Sequence, residues 1–266
     1  MTSILDNIYA AKRVEVRARR AIVSPMAIVA EAGRAPRPRD FVAALRARRP
    51  AIIAEIKRAS PSKGDIMPGL DPAGVAREYV TGGAAAISVL TDVHFKGSLD
   101  DLRAVRAAVD VPLLRKDFIF EPYQVYEARA AGADCILLIA AMLKEGELRS
   151  LAALARELGM ATLVESHDPG EFALAEKIGS ELVGINNRNL HTFVTDIAVT
   201  ERLLAGYTGG AVTVSESGID SPGDIRRLDA AGARAFLIGE SLLSGATPGA
   251  KLGELMNAFG GAPPRK

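Results

Sequence analysis

The stretch AIIAEIKRASPS (51–62) decides how the rest of the chain is read. It begins as an apolar run and then places Glu55 and Lys57 two residues apart. In a β-strand, residues two apart project to the same side. A carboxylate and an ammonium would therefore share one face, while Ile52, Ala54 and Ile56 line the other. The strand then runs into Ser60-Pro61-Ser62-Lys63-Gly64, whose turn residues end regular pairing. Paired charge at a strand end, opening into a polar loop, has the form of the floor and lip of an active site. A solvated strand end with an incidental Glu–Lys pair would show the same letters. The deciding question is whether the pattern repeats.

It does. Downstream, a unit recurs: an apolar run, a loop, a capped helix, then a glycine just before the next apolar run. The helix-ending glycines are Gly83, Gly132, Gly159, Gly179 and Gly232, where a left-handed C-cap is expected. Their spacing gives a period of about 25 residues, the size of one strand plus one helix with short loops. Helix starts agree: Asp71-Pro72, Glu121-Pro122, Asp168-Pro169 with Glu171 at the capping-box position, and Ser221-Pro222 with Asp224. The expected strands are 50–57, 84–90, 111–116, 134–139, 160–165, 181–186, 211–216 and 235–238. Most are near-continuous apolar runs, as in a parallel sheet covered on both sides. Eight such units predict an α/β fold, a closed (β/α)8 TIM barrel. An open doubly wound sheet is the other architecture with this alternation, but no Gly-rich dinucleotide fingerprint follows the first strand.

Residues 1–48 read as an N-terminal helical extension, the barrel as 49–260 and 261–266 as a flexible tail, all one domain. In the extension, Ile4, Leu5, Ile8 and Ala11 fit one helical face, and Pro25 and RAPRPRD (34–40) interrupt it. One or two helices and a bent linker are expected there.

In a barrel of this kind, chemistry is built at the carboxyl ends of the strands. The first ends in Glu55 and Lys57, the third in Arg115, Lys116 and Asp117, and the fifth in Glu165. The sixth ends in Asn186, Asn187 and Arg188, the seventh in Ser215, Glu216, Ser217 and Gly218, and the eighth in Gly239, Glu240 and Ser241. Apolar strands that all finish in charge at the same end are hard to explain as solvated surface. In a shared, partly dry cavity their pKa values shift and acid/base roles open up. Ser217-Gly218 and Gly239-Glu240 add a second constellation: loops whose backbone N–H groups can converge on an anion, where such barrels hold phosphate.

Other features rank lower. His94, His167 and His191 share no ligand spacing, so no metal is expected. Cys135 reads as a small buried residue. His94-Phe95-Lys96-Gly97 reads equally as a lid and as an ordinary loop. The Arg-rich stretches 13–20 and 44–49 read as solvated helix faces. With 33 basic and 32 acidic residues among 266, the net charge of +1 supplies no field for nucleic acid or anionic lipid. One cysteine excludes an internal disulfide framework and suits a reducing compartment. MTSILDNIYAAKRVEVRARR has no apolar signal core, and no run approaches a membrane span. The expected location is the cytoplasm. The expected state is a monomer, with a weak homodimer as the alternative.

Several motifs, in this order, resemble the indole-3-glycerol phosphate synthase family of tryptophan biosynthesis: AEIKRASPSKG (54–64), ISVLTD (87–92), RKDFI (115–119), VES (164–166), GINNRNL (184–190), SESGI (215–219) and FLIGESL (236–242). The match runs through nearly the whole chain. It implies a carboxy-lyase that converts 1-(2-carboxyphenylamino)-1-deoxyribulose 5-phosphate into indole-3-glycerol phosphate, carbon dioxide and water, without a cofactor. By those motifs, Lys116 would be the general acid and Glu165 the general base of dehydration. Glu55 would support the reacting groups, and Lys57 would hold the substrate carboxylate. Asn186 and Arg188 would orient the anthranilate and hydroxyl groups. Ser60, Pro61, Phe118, Glu216, Ser217, Gly218, Leu237, Gly239 and Glu240 map to substrate and phosphate contacts, Glu240 through its backbone N–H. Where some relatives carry Ser, this chain has Glu240, which speaks against a side-chain role there.

The residues support the same chemistry class on their own. Ring closure at a carbonyl needs a cationic proton donor, and dehydration needs a carboxylate base. Two rivals remain at this stage. Another phosphate-binding barrel isomerase or epimerase would ordinarily need paired carboxylates or metal-binding histidines. A non-catalytic phosphometabolite-binding barrel would have no reason to keep Lys116 and Glu165.

Overall fold

The computed structural model of the chain describes residues 4–60, 64–67, 69–189 and 192–260. Three helices precede the first strand: α1 (Ile4–Ile22), α2 (Pro25–Arg34) and α3 (Phe41–Arg46). Ser24 caps α2 by accepting the Ala27 N–H, and Pro25 occupies its first turn, where a missing N–H costs nothing. The third helix was not expected. It forms because Asp40 accepts the Ala43 N–H and Phe41, Val42 and Leu45 share one apolar face. In α1, Ala11 lies on the exposed side, and the buried positions are Lys12 and Val16.

The barrel follows in strict alternation. Its elements are β1 (Ala51–Ile56), an unforeseen hairpin of β2 (Ala59–Ser60) and β3 (Gly64–Asp65), α4 (Pro72–Thr81), β4 (Ala86–Leu90), α5 (Leu99–Ala108), β5 (Leu113–Lys116) and α6 (Pro122–Ala130). Then come β6 (Cys135–Ile139), α7 (Glu145–Glu157), β7 (Ala161–Ser166), α8 (Pro169–Lys177), β8 (Leu182–Asn186) and α9 (Ala198–Leu204). The chain ends with β9 (Val212–Glu216), α10 (Pro222–Ala231), β10 (Ala235–Ile238), α11 (Glu240–Leu243) and α12 (Pro248–Met256). Apart from the β2–β3 hairpin, the strands are parallel and close in the order β1, β4, β5, β6, β7, β8, β9, β10 and back to β1. This is a (β/α)8 barrel. The eight barrel strands are those the sequence predicts, with ends that differ by at most two residues; β7 runs one residue further, to Ser166, and β10 has the predicted bounds. The five glycines before strands all take positive φ, between 73° and 111°, as left-handed helix ends require. One cap differs. Glu171 does not return to the Asp168 N–H; its carboxylate accepts the His167 N–H and faces the His167 ring.

Two apolar layers follow from the two-residue period. Ile52, Ala54 and Ile56 of β1 pack outward with Val89, Leu138, Val183 and Phe236 against the helices. Ile53, Leu114, Leu137, Leu163, Val214 and Leu237 fill the barrel interior, with Cys135 buried among them. Phe41, Val42 and Leu45 of α3 belong to the interior cluster and pack against β1, β4 and β9, sealing the amino end of the barrel. Among the described residues, no helix is long and apolar enough to cross a membrane.

If α3 is part of the core, Phe41→Ala lowers the unfolding free energy by about 3–5 kcal/mol, the range for deleting a buried aromatic ring. Denaturant titration measures this, and a loss below about 1 kcal/mol would leave α3 as an appendage.

Candidate active site

At the open end of the barrel the inward-facing positions change from apolar to charged. Glu55, Glu165 and Glu216 sit one inward step beyond Ile53, Leu163 and Val214, on β1, β7 and β9, and all three are buried. Lys116, one inward step beyond Leu114 on β5, reaches into the middle of them. Its Nζ lies 3.5 Å from Glu165 Oε2, 3.7 Å from Glu216 Oε2 and 4.0 Å from Glu55 Oε2. Lys57 Nζ approaches the other Glu55 oxygen at 3.1 Å. Two glycines make room. A Cβ on Gly184 would fall 2.3 Å from Glu216 Oε1, and one on Gly239 would fall 2.5 Å from Glu55 Oε1.

These groups line one cavity of about 290 Å³. Asn186, Arg188, Ser217, Gly218, Gly239 and Glu240 line it on the β8–β10 side. Phe118 and Leu237 also line it, as expected. The wall also includes Ile8 from α1, Leu90, Leu137, Ile139, Phe193 and Thr195, which the sequence reading did not place at the site, and Phe95 from the 94–97 stretch read as a lid or an ordinary loop. Phe95 follows β4 in a short 3-10 turn and stacks on Phe118 with ring centroids 6.3 Å apart. So the cavity has an apolar half at the ends of β4–β6 and a half rich in backbone N–H groups at the ends of β9 and β10. Ser217 and Gly218 both take positive φ there, and the Ser217 hydroxyl donates to Asn186 Oδ1 at 2.9 Å.

Other expected site residues lie elsewhere. Arg115 is fully buried on the outer side of the sheet, donating to the Gln124 carbonyl and pairing with Asp117 at 2.8 Å. Its odd position in β5 turns it away from the interior that Lys116 enters. Asn187 is a buttress: its Nδ2 donates to Ser215 Oγ and the Ser217 carbonyl, and its Oδ1 accepts from Thr200. The Glu240 side chain is engaged after all, with Oε2 3.3 Å from Arg188 Nη2. The Ser60 side chain and Pro61 lie outside the described residues, as do residues 62 and 63 of the polar loop after β1.

The electrostatics are those of one ammonium serving three carboxylates. Burial works against the Lys116 charge, but Glu165, Glu216 and Glu55 outweigh it and hold its pKa well above the ordinary lysine value. Burial alone would raise Glu165; Lys116 and His167 reverse that and hold it well below the usual carboxylate range. Glu216 goes the other way, pushed up to about 8 by burial and by the charge of Glu165. Burial and Glu165 thus push Glu216 toward its neutral form, while the neighbouring cations favour the ionised forms of Glu165 and Glu55. His167 Nε2 stands 3.3 Å from Glu165 and its Nδ1 3.1 Å from Glu171. Burial disfavours the imidazolium, but those two carboxylates raise it to about 10. Its position directly after VES, at the end of β7, was the available signal for this role. Among the described residues, no group of three or more His, Cys, Asp or Glu is arranged to hold a metal ion.

The comparisons with known proteins agree with this geometry. A family model described as indole-3-glycerol phosphate synthase matches residues 5–255. A relative of that name from Chromobacterium violaceum is 49% identical over 263 residues, covering 97% of this chain and 99% of its own. One from Mycolicibacterium gilvum is 46% identical over 257 residues, covering 96% and 94%. Among solved structures, 3-hexulose-6-phosphate synthase from Salmonella typhimurium superposes with a TM-score of 0.63 at 13% identity, covering 79% of this chain and 98% of that one. An N-acetylmannosamine-6-phosphate 2-epimerase from Clostridium perfringens gives 0.58 at 16%, covering 72% and 86%. At such identities these two show a shared fold alone.

The raised His167 has a sign that can be tested. A group whose folded pKa lies above its unfolded value of 6.5 stabilises fully below pH 6.5 and loses that contribution as pH rises through about 10. The difference in thermal midpoint between the natural protein and His167→Gln should therefore narrow from pH 6 to pH 10. A gap that widens over that range rules out the ion pairing.

Proposed function

Since the chain belongs to the indole-3-glycerol phosphate synthase family, we propose that Lys116 is the general acid of the ring closure that defines that family. The substrate is 1-(2-carboxyphenylamino)-1-deoxyribulose 5-phosphate, and the reaction is one of ring formation, decarboxylation and dehydration. As the aromatic carbon attacks the ketone, electron density moves to the carbonyl oxygen, which takes a proton from Lys116 and becomes a hydroxyl. Loss of the ring carboxyl as carbon dioxide restores aromaticity. That hydroxyl then takes a second proton from Lys116, recharged from solvent, and departs as water, while Glu165 takes the proton from the adjoining ring carbon and the indole double bond forms. The observation that carries this reading is the position of Lys116 Nζ within 3.5–4.0 Å of three buried carboxylates at the cavity floor. A donor so placed is charged at neutral pH and is held for proton transfer rather than for solvent.

The rest of the cavity supports the assignment. Its apolar half suits an aromatic ring, and Lys57, 3.1 Å from Glu55, is a cation for the substrate carboxylate. Asn186 and Arg188 orient the anthranilate and hydroxyl groups. The left-handed Ser217-Gly218 turn and the Gly239-Glu240 turn offer N–H groups to the phosphate. In this reading Glu240 contributes its N–H to substrate and its carboxylate to the alignment of Arg188. One chain supplies the residues that line the cavity, and a monomer is taken as the working unit. A free, buried Cys135 suits the reducing cytoplasm.

The direct test is growth of indole fluorescence when the anthranilate-ribulose phosphate is added; no signal at high enzyme concentration sinks the reading. Lys116→Met should lower kcat at least about 10²-fold, the scale of general acid catalysis, and near-normal turnover would remove Lys116 from the acid role. Ser217→Asp should raise KM by setting like charge against phosphate, and an unchanged KM would place the phosphate elsewhere. Ser217 is the better position to change, because any side chain at Gly218 would meet Thr195 Cγ2 at 2.6 Å.

A further inference from the structure

A fully buried cation that this mechanism leaves unused is Lys12 of α1, whose side chain is 0% exposed. Its Nζ lies 2.6 Å from Asp92 Oδ2, 2.8 Å from Asp117 Oδ1 and 2.8 Å from Glu15 Oε2. Both aspartates stand at the barrel mouth. Asp117 directly follows Lys116, and its carboxylate also receives the Thr91 hydroxyl at 2.7 Å, Arg115 Nη2 at 2.8 Å and the Phe118 N–H at 2.8 Å. Asp92 follows β4, accepts the His94 N–H at 2.8 Å and caps the turn that carries Phe95 into the cavity. A single ammonium from the N-terminal helix thus joins the end of β4 to the end of β5.

We propose that Lys12 is a positioning residue for the reaction: by clamping Asp117 against Asp92 it fixes the backbone from which Lys116 reaches its three carboxylates. The proposal rests on Lys116 being the acid. A buried ion pair is weak evidence for stability, since apolar groups of similar volume often serve as well. Removing one partner, however, leaves the other charge buried and uncompensated. Without Lys12, Asp92 loses its ammonium, and Asp117 keeps Arg115, Thr91 and the Phe118 N–H but no longer the tie to Asp92, so its carboxylate shifts toward Arg115. Its neighbour Lys116 moves with it. Displacement of a catalytic group by about 1 Å is enough to cost roughly 10²-fold in rate.

The experiment measures single-turnover rate and KM for Lys12→Met and Lys12→Arg, well below their thermal transitions. Lys12→Met should lower the single-turnover rate about 10- to 100-fold with KM within about threefold of the natural protein. Lys12→Arg, which keeps the charge, should recover most of that loss. A rate within twofold of normal in Lys12→Met overturns the proposal, as does a loss confined to KM, or a loss that Arg does not relieve. If Lys12→Met does not fold, Asp92→Asn carries the same comparison: it should lower the single-turnover rate several-fold, and an unchanged rate overturns the proposal. The two readings fail separately. Turnover retained by Lys116→Met refutes the acid assignment, whereas an inactive Lys116→Met beside a fully active Lys12→Met refutes the clamp alone.

Discussion

Three carboxylates buried around one ammonium are the constraint on which the open end of this barrel depends. A carboxylate taken out of water costs several kcal/mol unless it is paired or protonated, and Glu55, Glu165 and Glu216 are all nearly inaccessible. Lys116 cannot fully satisfy the three of them. The surplus is met by Lys57 at Glu55, by His167 at Glu165 and by the raised pKa of Glu216. Each solution leaves a charged or protonated group aimed into the cavity. The same burial that strains the fold electrostatically makes the donors and acceptors available to a substrate.

That arrangement was legible in the sequence wherever it depended on strand period. The alternation of Ile53 with Glu55, Leu114 with Lys116 and Leu163 with Glu165 is a local property, and a closed barrel turns it into one shared interior. For the same reason the period could have separated Arg115 from Lys116, since adjacent strand residues face opposite ways. What local pattern could not give was the closure of distant elements. Ile8 read as part of an apolar face and Lys12 lay next to the Arg-rich stretch 13–20 read as solvated, and only tertiary packing shows that this side of the helix meets the barrel mouth. Phe95 was visible as part of a turn, but its contact with Phe118 joins residues after two different strands. Asp40 before Phe41 did carry a helix start, hidden by the prolines that precede it.

The N-terminal extension changes character in this light. Its α1 supplies Ile8 to the cavity wall and a fully buried cation to the loops beside it, while α3 fills the opposite end. A barrel of eight strands leaves two openings in its sheet. In this chain the residues before the first strand attend to both.

The seal made by Phe41, Val42 and Leu45 has a consequence for traffic. With the amino end plugged, the cavity is a vessel with one mouth. The ribulose phosphate must enter, and carbon dioxide, water and the finished indole must leave, past the same rim of Phe95, Phe118 and the Ser217-Gly218 and Gly239-Glu240 turns. Arrival and departure therefore use the same side of the barrel.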